Sequence, residues 1–342
     1  MIAGKKRATQ GNVQNRSVLQ FRRSWSIIKI LKKDDKMTRL PCVATVAFIM
    51  SFVCLNCTST PHTVIENDQG EAITTESLDG CDDFGKHTLR LENGKEVVIL
   101  VHGCKASSGS FLILKEVFES RGQQAIGFNY DYRDSIEKCA DQLVAAINSI
   151  NDLTHPSKIT VVAHSQGGLV ARRALISNRP DNLVLKGLTT KIRLVTISSP
   201  FNGIKSSSHC GMTALHIASA GATVLICQAI AGSTWSEINP GSDFIKNPGL
   251  LSEMVVEHLK INTDERNTCR KVDSEGKCLE DDFVFGLDEQ YAEVVDRDGR
   301  VSNIELKAGH AQVVGKPGHP PFALIDTLEK KDVLRAQTYL SY

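Results

Sequence analysis

Short runs of apolar residues alternate with helical patterns along the middle of the chain. Val97–Val101 is continuously apolar and reads as a strand buried on both faces, as in a parallel sheet. The pattern places a helix over Phe111–Ser120 and a short strand over Ala125–Asn129. From Asp134 to Ile150, residues Ile136, Cys139, Ala140, Leu143 and Ile147 recur at helical spacing on one face, and Asp134 with Glu137 resembles a capping box. A strand over Lys158–Ala163, a helix over Gly167–Ser177 and a strand over Lys191–Ser198 continue the rhythm. Such alternation predicts an α/β protein: an open, mostly parallel sheet covered by helices on both faces.

The rhythm breaks over residues 204–280. An Ala-rich apolar stretch from Ala214 to Ala229 and Gly/Pro punctuation at 240–241 and 248–249 predict a cap or lid insertion there. The sheet is expected to resume at Phe283–Phe285, with a hairpin around Asp298-Gly299 and a strand over Asn303–Leu306. A mostly helical tail follows from Pro321 to Leu340.

The charge is uneven. The chain has 342 residues and a formal charge of +1, but residues 1–40 hold 11 Lys and Arg against 2 Asp and Glu. From residue 61 onward there are 29 basic and 37 acidic side chains, which argues against a nucleic-acid groove in the body. Residues 41–55 carry no charge, a length that suits the core of an export signal better than a spanning helix. Cys57 after this run resembles a bacterial lipoprotein signal, although Cys54 and Asn56 stand where that pattern usually has Leu and a small residue. Met37 offers a second start with a more usual basic flank. The expected organisation is a basic segment plus export or lipoprotein signal over 1–57, a flexible tether over 58–80 and the α/β domain over 81–342. The protein is expected to be exported, either anchored to a membrane or released; its oligomeric state is open. Cys269 and Cys278 bracket a polar stretch and could close a loop in an oxidising compartment.

The sharpest chemical signal is Val161-Val162-Ala163-His164-Ser165-Gln166-Gly167-Gly168. A β-branched strand runs into a serine and straight on into a helix. Ala163 and Gly167 flank it two places either side, where a large side chain would strike the neighbouring chain. Such a turn lifts the Ser165 hydroxyl clear of the sheet and puts helix N–H groups beside it. A second strand ends in His102-Gly103-Cys104, so the amide of Cys104 can face that of Gln166 as an oxyanion hole, with His102 read as structural.

These stretches, with the loop Ser199-Pro200-Phe201-Asn202-Gly203, resemble the α/β-hydrolase superfamily, specifically bacterial lipase-like esterases. The resemblance is firm over about 95–203 and looser over 280–330. It implies the order nucleophile, acid, histidine. Among His209, His216, His258, His310 and His319, Gly309-His310 matches the family's base, and His319 is the runner-up. Asp288 is the expected acid, at the end of the strand assigned to Phe283–Phe285; Asp298 is its rival, and Asp296 and Glu289 stand further off. The implied activity is hydrolysis of carboxylic esters, with lipid-like acyl groups suggested by the apolar insertion, and it needs no metal or organic cofactor. Acyl transfer or thioester hydrolysis would use the same residues, and an idle fold serving as a binding module is the alternative from another class.

Overall fold

The computed structural model describes residues 62–82, 88–179, 185, 189–205 and 234–337. The basic front, the uncharged run at 41–55 read as an export signal, and the Ala-rich part of the insertion lie outside them. Strands β1 (Thr63–Asn67), β2 (Ala72–Thr75), β3 (Leu78–Asp79) and β4 (Thr88–Leu91) come first. They correct the expected tether over 58–80. In Thr63-Val64-Ile65-Glu66-Asn67 every second residue is buried, so a polar composition conceals a strand with one inner face. β1 pairs antiparallel with β2 and parallel with β4 to make a small sheet.

The main sheet is built from β5 (Val97–Val101), β6 (Gln124–Phe128), β7 (Lys158–His164), β8 (Lys191–Ile197), β9 (Val255–Asp264) and β12 (Val301–Lys307). Between the last two lie β10 (Cys269–Val272) and β11 (Cys278–Asp281), a separate antiparallel hairpin. The order in the main sheet is β12-β9-β8-β7-β5-β6-β3, parallel throughout except for β3 on β6. The expected α/β architecture is therefore what the chain adopts.

Helices cover both faces. α1 (Leu112–Ser120) follows β5, α2 (Ile136–Thr154) precedes β7, and α3 (Gln166–Ala174) follows it. Ser135 caps α2 by accepting from the Lys138 amide, one residue later than the capping box expected at Asp134. The short α4 (Leu287–Gln290) and α5 (Glu293–Asp296) and the closing α6 (Phe322–Lys330) complete the set. Alternate strand residues feed two cores: Val97, Ile99, Val101, Ile159 and Val161 pack with α2 and α3, while Val98, Leu100 and Val162 pack with α1 and α6. The chain leaves β5 toward one face and β7 toward the other. The C-terminal ends of these two adjacent strands thus flank a crevice, where open α/β sheets place their ligands.

β9 is the main departure from the sequence reading. It lies inside the stretch assigned to the insertion, and Phe283–Phe285 is not a strand. Buried polar residues hide β9: His258, Lys260 and Asn262 are all within 1% exposure. Lys260 is accommodated by an ion pair with Asp296 and a bond to the Gln290 carbonyl. Phe283 and Val284, by contrast, are each 47% exposed. Asp298 sits in the turn between α5 and β12 rather than in a hairpin. α6 ends at Lys330, short of the helical tail expected to Leu340.

Candidate active site

Ser165 stands between β7 and α3 with φ 56° and ψ −127°, a backbone that L-residues rarely adopt. The neighbouring glycines make the turn fit. A Cβ on Gly167 would lie 2.2 Å from the His102 carbonyl oxygen and 2.7 Å from that of Val101. A Cβ on Gly103 would lie 2.9 Å from the Ser165 Cβ. Because backbone blocks Gly167, Gly167→Ala must push α3 off β5. We expect a loss of about 3 kcal/mol or more, read as a lower urea midpoint; an unchanged midpoint would contradict this packing.

The loop after β5 is held by aromatic and hydrogen-bond contacts. His102 stacks on Tyr130 at 4.3 Å between centroids, its Nδ1 lies 2.9 Å from the Gly103 carbonyl, and the Tyr130 hydroxyl donates to the His102 carbonyl. Burial pushes His102 down in pKa, so it stays neutral. Its contacts are structural: it is buried and holds the loop through Tyr130 and Gly103. Burial pushes the Cys104 thiol up, which keeps it protonated rather than a thiolate rival to Ser165.

His310 reaches the serine. Its Nε2 lies 3.0 Å from Ser165 Oγ. Its Nδ1 lies 2.7 Å from an oxygen of Glu265, the residue directly after β9. The Glu265 side chain is fully buried. Oε1 also accepts from the hydroxyls of Ser198 (2.7 Å) and Thr263 (3.1 Å), and Oε2 accepts from the amides of Val284 (2.7 Å) and Phe285 (3.2 Å). Burial alone would raise this carboxyl, but the hydrogen bond and charge of His310, with the amide and hydroxyl donors, hold it below the usual glutamate range. The amides of Val284 and Phe285 are spent on this carboxylate rather than on a strand ladder.

The other sequence candidates stand apart. Asp288 does not face His310: it is exposed on α4 and ion-paired with Lys205, whose hydrogen bond lowers its pKa. Asp298 is pinned by Arg300, which draws it down to about 2. Asp296 neutralises Lys260, and Glu289 accepts from the amides of Gly286 and Lys205. The position expected for the acid thus passes from Asp288 to Glu265, because β9 and not Phe283–Phe285 is the strand that points at His310. His258 is buried under the sheet, bonded to Thr196. His319 closes a turn with Lys316. His209 and His216 lie outside the described residues.

Two side chains that sequence reasoning missed fix His310. His164, the residue before Ser165, is buried and held neutral by burial and by the neighbouring His310. It reaches the His310 carbonyl at 2.9 Å, which as a neutral ring it can do only as an Nε2–H donor. Asp282, which follows β11, accepts from the amides of Ala311 (3.0 Å) and Gln312 (3.0 Å) through its carboxylate, and from the His310 amide (2.9 Å) through its carbonyl. A Cβ on Gly309 would lie 2.2 Å from Asp282 Oδ2, so the glycine lets the carboxylate approach. Charge-assisted bonds of this kind contribute about 1.5–3 kcal/mol. Asp282→Asn puts an amide donor against those N–H groups. It should lower kcat about tenfold or more, with KM little changed, in steady-state assays; equal kcat in variant and parent would show that the clamp does not matter.

Over Ser165 lies a cavity of about 1260 Å3. Cys104, Gln166 and His310 line it, with an apolar wall from Leu112, Ile113, Ile204, Trp235, Ile238 and Phe285. Its rim includes the β10–β11 hairpin, which a Cys269–Cys278 disulfide ties together. Among the described residues, no three His, Cys, Asp or Glu side chains gather so as to hold a metal ion.

Residues 91–239 match the family described as "Putative serine esterase (DUF676)". The chain is similar to the mature form of the lipase BlEst2 from Bacillus licheniformis, with 15% identity and a TM-score of 0.48 over 70% of this chain and 93% of that one. It is also similar to the propionate-bound thermophilic esterase Est2 from Thermogutta terrifontis, with 13% identity and a TM-score of 0.45 over 72% and 87% of the two chains. No curated protein is similar enough to the chain to match it. The mostly parallel sheet with helices on both faces is consistent with an α/β-hydrolase fold. At such low identity no residue role passes from those two proteins to this chain.

Proposed function

We propose that this chain is a serine hydrolase that cleaves carboxylic esters through Ser165, His310 and Glu265. The observation that carries the reading is the unbroken hydrogen-bond line from Ser165 Oγ through both His310 nitrogens to a buried carboxylate. His310 Nε2 takes the serine proton as Oγ attacks the ester carbonyl. Glu265 fixes the tautomer with Nδ1–H and stabilises the imidazolium. The tetrahedral oxyanion lies against the amides of Cys104 and Gln166; Gln166 opens α3, so its N–H has no partner within the helix. His310 then protonates the leaving alcohol, and water repeats the cycle on the acyl-serine. The apolar wall of the cavity suits an acyl chain, which favours lipid-like substrates.

An exported location, through a cleaved signal or a lipid on the N-terminal region, belongs to the same proposal. The uncharged run at 41–55 behind a basic flank supports it, as does the Cys269–Cys278 disulfide, a bond that oxidising compartments preserve. The test is a chain-length series of p-nitrophenyl esters, with products resolved in the presence and absence of an added alcohol. Free acid as the main product supports the hydrolase. A new ester as the main product would assign an acyltransferase, and no turnover of any ester would overturn the reading.

A further inference from the structure

The charge of the cavity runs against the charge of the body. From residue 61 onward acidic side chains outnumber basic ones by 37 to 29. At the cavity the balance reverses: Lys105, Arg270, Lys271 and Lys316 line it against Glu280 as the one carboxylate among the described lining residues. Arg270 pairs with Glu280 at 3.0 Å. Among the described residues, the other three lysines have no ion pair to satisfy them. Residues 206–233 contain no Asp, Glu, Lys or Arg, so their composition supplies no countercharge.

Three separate segments place these cations on the lining of one cavity. Lys105 follows Cys104 directly and takes φ 55°, a backbone that favours glycine. Lys271 lies on β10, which the disulfide ties to β11. Lys316 stands just beyond the loop that carries His310. A cleft lined by one sign of charge above low-dielectric walls concentrates ligands of the opposite sign and speeds their capture.

We propose that the preferred substrate is an acyl ester bearing an anionic group, such as a phosphate, sulfonate or carboxylate, on the part of the molecule away from the acyl chain. The apolar wall takes the chain, and Lys105, Lys271 and Lys316 take the anion. This rests on the ester-hydrolase reading and names its substrate class.

The test compares phenyl butyrate with 4-(butanoyloxy)benzenesulfonate, each enzymatic rate divided by the alkaline hydrolysis rate so that leaving-group chemistry cancels. At low ionic strength the sulfonate should lead in normalised kcat/KM by about tenfold or more. That lead should largely vanish at about 1 M salt, where the screening length falls to about 3 Å. It should also vanish in the triple variant Lys105→Gln, Lys271→Gln, Lys316→Gln, and survive in the matching Lys→Arg triple. All three side chains are exposed, so both triples are expected to fold. A parallel pair, dilauroyl phosphatidylglycerol against dilauroyl phosphatidylcholine, separates the sources: a lead in both pairs assigns lipid headgroups, and a lead in the soluble pair alone assigns soluble anionic esters. Hydrolysis of both soluble esters with no sulfonate lead, or with a lead indifferent to salt and to the Gln triple, overturns the proposal and leaves the hydrolase reading standing. Hydrolysis of neither ends both.

Discussion

Ser165→Ala is expected to remove ester turnover, by about 10⁴–10⁶-fold in kcat, while the protein keeps its fold. Ser165 Oγ is the atom that His310 Nε2 faces at 3.0 Å, and Cys104, the only thiol among the described residues that line the cavity with it, is held protonated by burial. Alanine has the same Cβ and adopts the same strained turn, and the small residues around it already clear that atom. The variant should therefore show an unchanged circular-dichroism spectrum and a melting temperature within a few degrees of the parent's. Near-parental turnover would mean that another group performs the attack.

Glu265→Gln is the second large effect, expected to lower kcat by about 10³–10⁴-fold. The carboxylate accepts from His310, Ser198, Thr263, Val284 and Phe285, so every neighbour points a donor at it. An amide at this place must turn its NH2 toward donors, and it no longer stabilises the imidazolium. Asp288→Asn should leave kcat within about twofold, because that side chain is an exposed partner of Lys205 whose ion pair contributes little. Asp298→Asn should do the same, with a small loss of stability from the Arg300 contact. The pH dependence of stability carries the same sign. The folded Glu265 carboxyl is held below its unfolded value, so its contribution is present above the ordinary glutamate range and lost as pH falls through the lowered folded value. Melting curves across acid pH should show this loss in the parent and a flatter response in the Gln variant. A variant that kept parental kcat would remove Glu265 from the mechanism.

The two halves of the site differed in legibility for physical reasons. β5, β7 and β8 lie inside the sheet with both faces covered, so their apolar runs announce them. The Ser165 turn is equally plain, because steric demand permits few residues at Ala163 and Gly167. His310 could be found from Gly309, which the approach of Asp282 requires. β9 carries His258, Lys260 and Asn262 into the interior, where Thr196 bonds one nitrogen of His258, Asp296 and Gln290 hold Lys260, and Asn303 accepts from Asn262. A search for apolar runs passes over such a strand and settles on Phe283–Phe285, where Phe283 and Val284 are exposed and only Phe285 is buried. Glu265 vanished with β9. Its one signal in the sequence was the β-branched pattern of Val255, Val256, Ile261 and Thr263 leading into an acidic residue. The small sheet at 63–91 was hidden in the same way, by a strand whose buried face includes Thr63 and Asn67.

The most direct test of the central claim is the intact mass of the protein after exposure to a fluorophosphonate, beside its Ser165→Ala variant. The account predicts a single covalent adduct on the parent, mapped to Ser165, and none on the variant. An adduct of equal yield on both proteins, or none on a folded parent with and without detergent, would contradict an activated Ser165.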